Sequence, residues 1–323
     1  MSKYRQIVEI IKREIRCGER APGDKLPGQT QLAAQFEVSE ITARRALDEL
    51  TAAGLVERRH RSGSYVRQVP QYFRRIEIVC TGEVKNPALW LGDYWSGVES
   101  SGREFGIGVT VSRRLPASTE AAGVILIGED AAMIRELETR GTPFVSAITR
   151  NRLTRHNVRI DYPAVAAALR DALAADGAKR IHFLGNLRHP NHRLAAEAFR
   201  TAGAQVHSVT EKTIAERLRA ILERPNEIDA LAVMGGTLPF VALPALFGSR
   251  LPVKLGVFAE NRAVAFLGEY AYLADYRLFE AGKLSFALLN EVAADPALPR
   301  CVRSPQFHIY PPGTRPKENY ASF

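Results

Sequence analysis

The chain has 323 residues, which suits two or three domains, and 46% of them are hydrophobic, enough for a large core. Three cysteines, Cys17, Cys80 and Cys301, lie far apart and have no metal-type spacing. They predict reduced thiols in a cytoplasmic protein and exclude a disulfide scaffold. The first 25 residues are rich in charge and no apolar run reaches the length of a membrane span, so we expect neither a signal peptide nor a membrane partner.

The positive charge is concentrated at the N-terminus. Residues 1–75 hold 15 Lys and Arg against 9 Asp and Glu, whereas the remainder holds 29 against 26. Two thirds of the net charge of +9 therefore lies in less than a quarter of the chain. A basic small domain beside a nearly neutral larger one predicts a polyanion as partner of the small domain.

The first quarter of the chain predicts three helices. Apolar residues at helical spacing from Tyr4 to Ile15 indicate an amphipathic first helix, and a short second helix surrounds Leu32. Ser39 is a suitable N-cap for a third helix, which we expect to turn Ile41, Leu47 and Leu50 inward. Its exposed face is expected to carry residues 40 and 42–45, Ala43 included.

Two short strands, 55–58 and 64–67, follow the third helix and are joined by a basic hairpin at 59–63. Three helices and a hairpin in this order predict a winged helix-turn-helix, an α+β domain whose third helix enters the DNA major groove. The candidate DNA contacts on the helices are Gln29, Thr30, Ser39, Glu40, Thr42, Arg44 and Arg45. Those in the hairpin are Arg58, Arg59, His60, Arg61, Ser62 and Gly63.

The stretches GDKLPGQTQLAAQF, VSEITARRALDELTAAGLVERR and SGSYV resemble the GntR family of bacterial regulators. The resemblance covers residues 3–67 and implies that the third helix reads an operator while the wing contacts the minor groove. The family usually has Arg where this chain has Thr30, often has Arg in place of Glu40, and usually has Gly in place of Arg61. The operator is therefore not expected to follow the family's common sequence. Arg44 and Thr42 match the family pattern and are the best candidates for base and backbone contact, respectively.

A proline-broken linker at 68–74 separates the domain 1–67 from a larger domain at 75–323. Apolar runs alternate there with amphipathic stretches, a pattern typical of an α/β fold with buried parallel strands. Strands are predicted at 76–80, 106–111, 123–127, 143–148, 158–160, 180–184, 230–234 and 253–258. Helices are predicted near 90–103, 130–140, 162–175, 190–202, 211–223 and 237–247.

The stretches AAGVILIG, ELETRGTPFVSAI, DALAVMGG and LPVKLGVFAENR resemble the LacI-type sensor domain, which is related to periplasmic sugar-binding proteins. A GntR-like head on a LacI-like body resembles the arabinose-repressor architecture. The resemblance implies a periplasmic-binding-protein-like body of two lobes with parallel sheets. It also implies three chain crossings between the lobes, which we place near 149–157, 274–277 and 296–304, and a side-by-side homodimer.

Ligands of this sensor fold lie outside the carboxyl ends of the parallel strands. The candidate effector contacts are Trp90, Tyr94, Asn191, Arg193, Gly235 and Glu260. Trp90 and Tyr94 offer stacking surfaces but are equally suited to core packing, and Asn191 is an alternative to Arg193. Many sugar-binding members have Asn-Asp where this chain has Gly235-Gly236, so simple sugars are expected to bind poorly unless another acid replaces the missing carboxylate.

These observations predict a repressor whose partners are double-stranded operator DNA and a small-molecule effector, with a carbohydrate derivative as one candidate. No enzyme motif is present, and we expect neither catalysis nor a cofactor. A metal site at His182, His189 and His192 is disfavoured because His182 lies inside a strand. A body with a vestigial cleft that serves only dimerisation, and an enzyme fused to a DNA-binding head, remain as alternatives.

Overall fold

A computed structural model of the chain describes residues 3–16, 19–20, 23–52, 55–59, 62–66, 72–82, 91–103, 105–118, 122–148, 153–260, 264 and 266–314. The chain divides into two compact units. One comprises Met1–Ile76, Glu99–Val109 and Glu120–Ala122, and the other Glu77–Val98, Thr110–Thr119 and Gly123–Phe323. Residues 67–71 lie outside the described residues, so the linker and the domain boundaries stay predictions. In the described residues, no helix is long and apolar enough to cross a membrane.

Residues 3–66, here called the head, have the predicted order of three helices and a hairpin. The helices are α1 (Lys3–Arg16), α2 (Gln29–Gln35) and α3 (Glu40–Ala52). The hairpin strands are β1 (Val56–Arg59) and β2 (Gly63–Val66), which pair antiparallel with Val56 opposite Val66. Glu37, in the turn between α2 and α3, has a positive φ of 50°, which lets the chain reverse direction within a few residues.

The face that α3 turns into the core differs from our prediction. Ala43, Ala46, Leu47 and Leu50 are buried, which is the spacing of one helical face, whereas Ile41 is 81% exposed. Ile41 is two positions before Ala43 and therefore lies on the opposite side of the helix. The prediction of Ile41 inside and Ala43 outside is wrong.

The remainder of the described chain, 75–314, is here called the body, and it contains two parallel α/β lobes as predicted. The first lobe has a six-stranded sheet in the order β4-β3-β5-β6-β7-β13. The described pairings of β5, β6, β7 and β13 are parallel. Its strands are β3 (Arg75–Cys80), β4 (Gly108–Ser112), β5 (Ala122–Ile127), β6 (Phe144–Ile148), β7 (His156–Arg159) and β13 (Cys301–Arg303). Its helices are α4 (Leu91–Arg103), α5 (Ala131–Thr139) and α10 (Leu278–Ala294).

The second lobe has a six-stranded sheet in the order β9-β8-β10-β11-β12-β14, parallel except for β14 at its edge. Its strands are β8 (Ile181–Gly185), β9 (Gln205–Ser208), β10 (Ala230–Met234), β11 (Lys254–Phe258), β12 (Tyr272–Asp275) and β14 (His308–Tyr310). Its helices are α6 (Tyr162–Ala175), α7 (Pro190–Arg200), α8 (Ile214–Leu222) and α9 (Leu238–Ser249).

Two of the three predicted crossings between the lobes are displaced. Because β7 pairs with β6, the chain stays in the first lobe through Arg159 and leaves it at 160–161, after the predicted 149–157. The return at 276–277 falls within the predicted 274–277. The third crossing is at 304–307, after β13, and so begins at the end of the predicted 296–304. Strands β9, β12, β13 and β14 and helix α10 are absent from our prediction.

Helices α4 and α10 of the first lobe approach so closely that their contact admits only glycine. A Cβ atom on Gly97 would lie 2.0 Å from the carbonyl oxygen of Phe279, and one on Gly282 would lie 2.2 Å from that of Tyr94. Both distances are far inside van der Waals contact. Tyr94 lies at this crossing and is 0% exposed.

Candidate functional site

The start of α3 is organised by Ser39. Its hydroxyl accepts a hydrogen bond from the backbone amide of Thr42 at 3.2 Å, which confirms Ser39 as the N-cap, and lies 2.9 Å from the Thr42 hydroxyl. The Gln29 side chain donates to the Glu40 carboxylate at 3.3 Å and so joins α2 to the first turn of α3. Thr30 is exposed beside Gln29. Four of the predicted helix contacts are thus joined in pairs by hydrogen bonds at the start of α3.

Two neighbouring arginines on α3 have different surroundings. Arg44 is exposed, and no hydrogen bond or ion pair joins it to another residue that the structure describes. The Arg45 guanidinium lies 4.2 Å from the centre of the Tyr4 ring, a cation–π distance that fixes its position. Of the two, Arg44 is the cation that is available to a partner.

The wing holds its basic side chains in several contacts. Arg58 pairs with Asp48 of α3, while the Arg59 guanidinium lies 2.7 Å from Glu57 and 4.4 Å from the Tyr65 ring centre. The Ser62 hydroxyl lies 2.6 Å from the Tyr65 hydroxyl, and Gly63 has a φ of 114° that side chains rarely adopt. The predicted contacts His60 and Arg61 lie outside the described residues.

In the second lobe, His192 lies where strand order changes direction, between the carboxyl ends of β8 and β10. Its Nδ1 accepts a hydrogen bond from the backbone amide of Asn186 at 3.0 Å, so the neutral ring carries its proton on Nε2. Nε2 lies 3.4 Å from Oε1 of Glu260, which follows β11. A Cβ on Gly235, after β10, would lie 3.6 Å from Cε1 of the same ring. Three loops of the sheet edge therefore meet at one imidazole, at the position where ligands bind open α/β sheets.

Two buried tyrosines lie near the Glu260 carboxylate. Burial, reinforced by the Glu260 carboxylate, raises the pKa of both Tyr162 and Tyr276, so both remain neutral hydroxyls at physiological pH. The Asn191 side chain hydrogen-bonds Tyr162 and opposes the shift. The two rings meet edge to face with centroids 5.6 Å apart. The result is a carboxylate with an imidazole, an amide and aromatic hydroxyls around it, a set suited to hydrogen-bonding a polar molecule.

The predicted effector contacts differ in burial. Asn191 and Glu260 lie in this cluster, whereas Arg193, two positions after Asn191 on α7, is exposed. Gly235 is buried with a φ of 139°, and a Cβ there would lie 2.9 Å from Leu238, so no acid could replace it without a backbone change. Tyr94 packs in the core of the first lobe, so the core-packing alternative applies to it. Trp90 lies outside the described residues.

The three histidines considered for a metal do not meet. His182 lies near the amino end of β8, with Nε2 3.1 Å from the Glu227 carbonyl oxygen and Nδ1 3.0 Å from His207 Nε2. His189 and His192 lie beyond the carboxyl end of the same strand. Among the residues that the structure describes, no three potential ligands converge on one point.

Our sequence reasoning missed His192 as an effector candidate, together with Tyr162 and Tyr276. His192 was considered only as a metal ligand. Both tyrosines directly flank chain crossings, Tyr162 after the first and Tyr276 at the second. Large aromatic residues at these two positions were the signal that could have identified them.

Residues 3–66 match the family described as bacterial regulatory proteins, gntR family. These residues form a GntR-family helix-turn-helix domain. The mannosyl-D-glycerate transport/metabolism system repressor MngR of Escherichia coli (strain K12) is 42% identical over 65 residues, which are 20% of this chain and 27% of MngR. The chain thus spans little more than a quarter of that relative.

The body has the fold of LacI-type regulators. A LacI transcriptional regulator from Lactobacillus brevis superposes with a TM-score of 0.62 at 14% identity, covering 73% of this chain and 99% of that one. A LacI family transcriptional regulator from Enterococcus faecium, solved with bound ribose, gives 0.61 at 13% identity and covers 75% and 100% of the two chains. The GntR-type head therefore precedes a two-lobed body of known architecture, and the relatives named here are regulators.

Proposed function

We propose that this protein is a DNA-binding transcription regulator, and that it acts in the cytoplasm as a repressor. The observation that carries the proposal is the surface of α3, where Arg44 is exposed beside the capped first turn on a domain of the GntR family. Exposed side chains at the start of such a helix are the ones that reach base edges in the major groove. The excess of positive charge in residues 1–75 favours the phosphate backbone as its counterpart.

The effector is proposed to bind at the cluster of His192, Glu260, Asn191 and Tyr162. The cluster lies at the topological switch point of the second lobe, and the fold is shared with a regulator solved with ribose. A polar metabolite with hydroxyl donors, a carbohydrate derivative among them, matches the Glu260 acceptor. Trp90, Arg193 and Gly235 remain further predicted contacts.

Glu260 is the acid that we propose in place of the carboxylate missing at Gly235-Gly236. The His192 ring connects the two places, because its Cε1 would lie 3.6 Å from a Cβ on Gly235 while its Nε2 lies 3.4 Å from Glu260. The carboxylate is thus displaced by one loop and held by an imidazole. We expect the effector to differ in shape from the sugars recognised through an acid at the end of β10.

We also propose a homodimer, with α9 in its interface. Helix α9, with the sequence LPFVALPALFGS, contains no charged residue, and Phe247 is 61% exposed on it. Phe266 is 79% exposed and lies close in sequence to Tyr270. The Tyr270 and Phe247 rings meet edge to face, with their centroids 5.6 Å apart. Exposed aromatic clusters of this kind are typical of interface cores. A dimer would bring two heads to a pseudo-palindromic operator.

The proposal is tested by selecting binding sites from randomised duplex DNA with the full-length protein. Recovery of a two-fold symmetric sequence supports a dimeric regulator, whereas recovery of no sequence contradicts DNA-specific function. Thermal shift with a metabolite library then examines the effector site, because a ligand that binds the native state raises the melting temperature. A ligand that stabilises wild type but not Glu260→Gln, and that releases selected DNA, would establish the repressor switch.

A further inference from the structure

Ile41 has an unusual position for an isoleucine. It is the second residue of α3 and is 81% exposed, although the same helix buries Ala43, Ala46, Leu47 and Leu50. Among the described residues of the head, no other large hydrophobic side chain is exposed. Its exposure contributes nothing to the core and places apolar surface in water.

The residues around Ile41 are polar and belong to the proposed reading surface. Glu40, which precedes it, accepts a hydrogen bond from Gln29, and Arg44 is exposed one turn later. Thr42, which follows it, contacts the Ser39 cap. Ile41 is therefore an apolar point inside a hydrogen-bonding and cationic surface, and not the edge of a larger apolar patch.

We propose that Ile41 is a specificity-determining residue that contacts the C5-methyl group of a thymine in the major groove. This inference rests on the proposed function, since it requires that the head binds DNA through α3. The methyl group is the apolar feature that base pairs present in the major groove, and side chains from the first turns of a reading helix reach that groove. The Ile41 side chain has only apolar atoms. It can therefore make a van der Waals contact with a methyl group, but it cannot form a hydrogen bond with a polar group of a base.

The shape of the side chain supports the assignment. Isoleucine is branched at Cβ and has few accessible rotamers, so it loses little conformational freedom when it contacts a base. Because it is already exposed, its position needs no rearrangement of the head. 5-Methylcytosine carries the same methyl group at C5, so the contact should be possible with either thymine or 5-methylcytosine.

The test uses the full-length protein and the site recovered from randomised duplex DNA. Each thymine of that site is replaced singly by uracil, which removes only the methyl group, and dissociation constants are measured by fluorescence anisotropy for wild type and Ile41→Ala. At one thymine in each half-site, uracil should weaken wild-type binding about fourfold, as expected for one methyl-sized apolar contact. Ile41→Ala should bind the thymine site about fourfold more weakly and lose nothing further with uracil.

Several controls make the result specific. The affinity of Ile41→Val, which keeps a branched side chain, should lie between the affinities of wild type and Ile41→Ala. All three proteins should melt at the same temperature because the residue is exposed. Placing cytosine or 5-methylcytosine at the identified position shows whether the methyl group alone suffices: a preference of wild type for 5-methylcytosine that Ile41→Ala lacks supports the contact. Equal preference for the methylated base in both proteins contradicts it.

Two failures are distinguishable. If a site is recovered but uracil at each thymine affects wild type and Ile41→Ala alike, Ile41 does not read a methyl group, although the protein still binds DNA specifically. The same conclusion follows if the recovered site contains no thymine. If no site is recovered, the proposed function itself fails and the inference fails with it.

Discussion

The two candidate surfaces are built in opposite ways. On α3 of the head, Arg44 and Ile41 are exposed, and the helix is fixed by a core on its other face. At the edge of the second lobe, His192 is buried and Glu260 is largely buried, and the imidazole and the carboxylate contact each other. A surface that reads a large rigid polymer projects its side chains, whereas one that surrounds a small molecule must bury its polar groups and satisfy them from within. Substitutions of the exposed residues of α3 should therefore affect binding alone, whereas substitutions of the buried pair should affect stability as well as binding.

The largest effect is expected at the crossing of α4 and α10, on whose close packing the first lobe depends. Gly282→Ala would place a methyl group 2.2 Å from the Tyr94 carbonyl oxygen, and we expect it to lower the free energy of unfolding by about 3 kcal/mol or more. Urea denaturation measures the loss. Gly92→Ala, on α4 itself, is the matched control, since a Cβ there meets nothing within 4 Å and alanine is the better helix former. Equal stability of the two variants would contradict the packing argument.

Arg44→Ala should affect DNA binding and leave stability unchanged. Loss of a base contact is expected to weaken specific binding by about 1–3 kcal/mol, measured by titration of the selected site. Arg58→Ala serves as the comparison: it removes a wing cation paired with Asp48, and should weaken binding to all sequences alike and reduce the dependence on salt. An unchanged affinity in Arg44→Ala would remove this residue from the reading surface.

His192→Ala should lower stability before any ligand is added. It leaves the Asn186 amide and the Glu260 carboxylate without their partner in a buried place, and we expect a loss of about 1–2 kcal/mol in the free energy of unfolding. Arg193→Ala, at the next and exposed position of α7, should change stability little. Thermal and urea unfolding compare the two variants, and equal stability would contradict the structural role of the buried imidazole.

The stability of the protein should also depend on pH through a histidine of the second lobe. Burial, together with the nearby His182 and Arg217, lowers the pKa of His207 from 6.5 to about 4. Below pH 6.5 the unfolded chain takes up a proton that the folded chain refuses, so stability should fall as the pH falls from about 6.5 towards 4. Urea midpoints at several pH values measure the fall. His207→Gln should reduce the fall, and part of it should remain because burial also lowers the pKa of His156, His182 and His189. Substitution of the exposed His308 should not reduce it.

The sequence was sufficient for the order of elements in the head and for most strands of the body. The register of α3 was wrong because Ile41 was assigned to the core by its hydrophobicity, while the spacing of the smaller Ala43 and Ala46 carried the correct face. Helix α10 was missed because it is buried at Ala281, Gly282 and Ser285 as well as at leucines, which blurs the apolar stripe that identifies a helix.

The effector cluster was harder to predict than the reading helix. Asn191 and Glu260 were found because they follow strands, but the partner that joins them to the sheet edge, His192, was not. Contacts such as that of Tyr276 with Tyr162 bring together residues more than a hundred positions apart, and no local pattern records them. The reading surface, in contrast, lies within a single helix and its cap, so local spacing and the family pattern together describe it.

The order of the strands along the chain affects when each part of the protein can fold during translation. Every element of the head is synthesised by residue 66, so its core can form early. The first lobe is different, because α10 and β13 reach it only after the whole of β8–β12 has been made. An unfinished sheet edge at β7 must therefore wait through about 140 residues of translation, several seconds or more at ordinary rates, and is a natural place for a chaperone to act on the nascent chain.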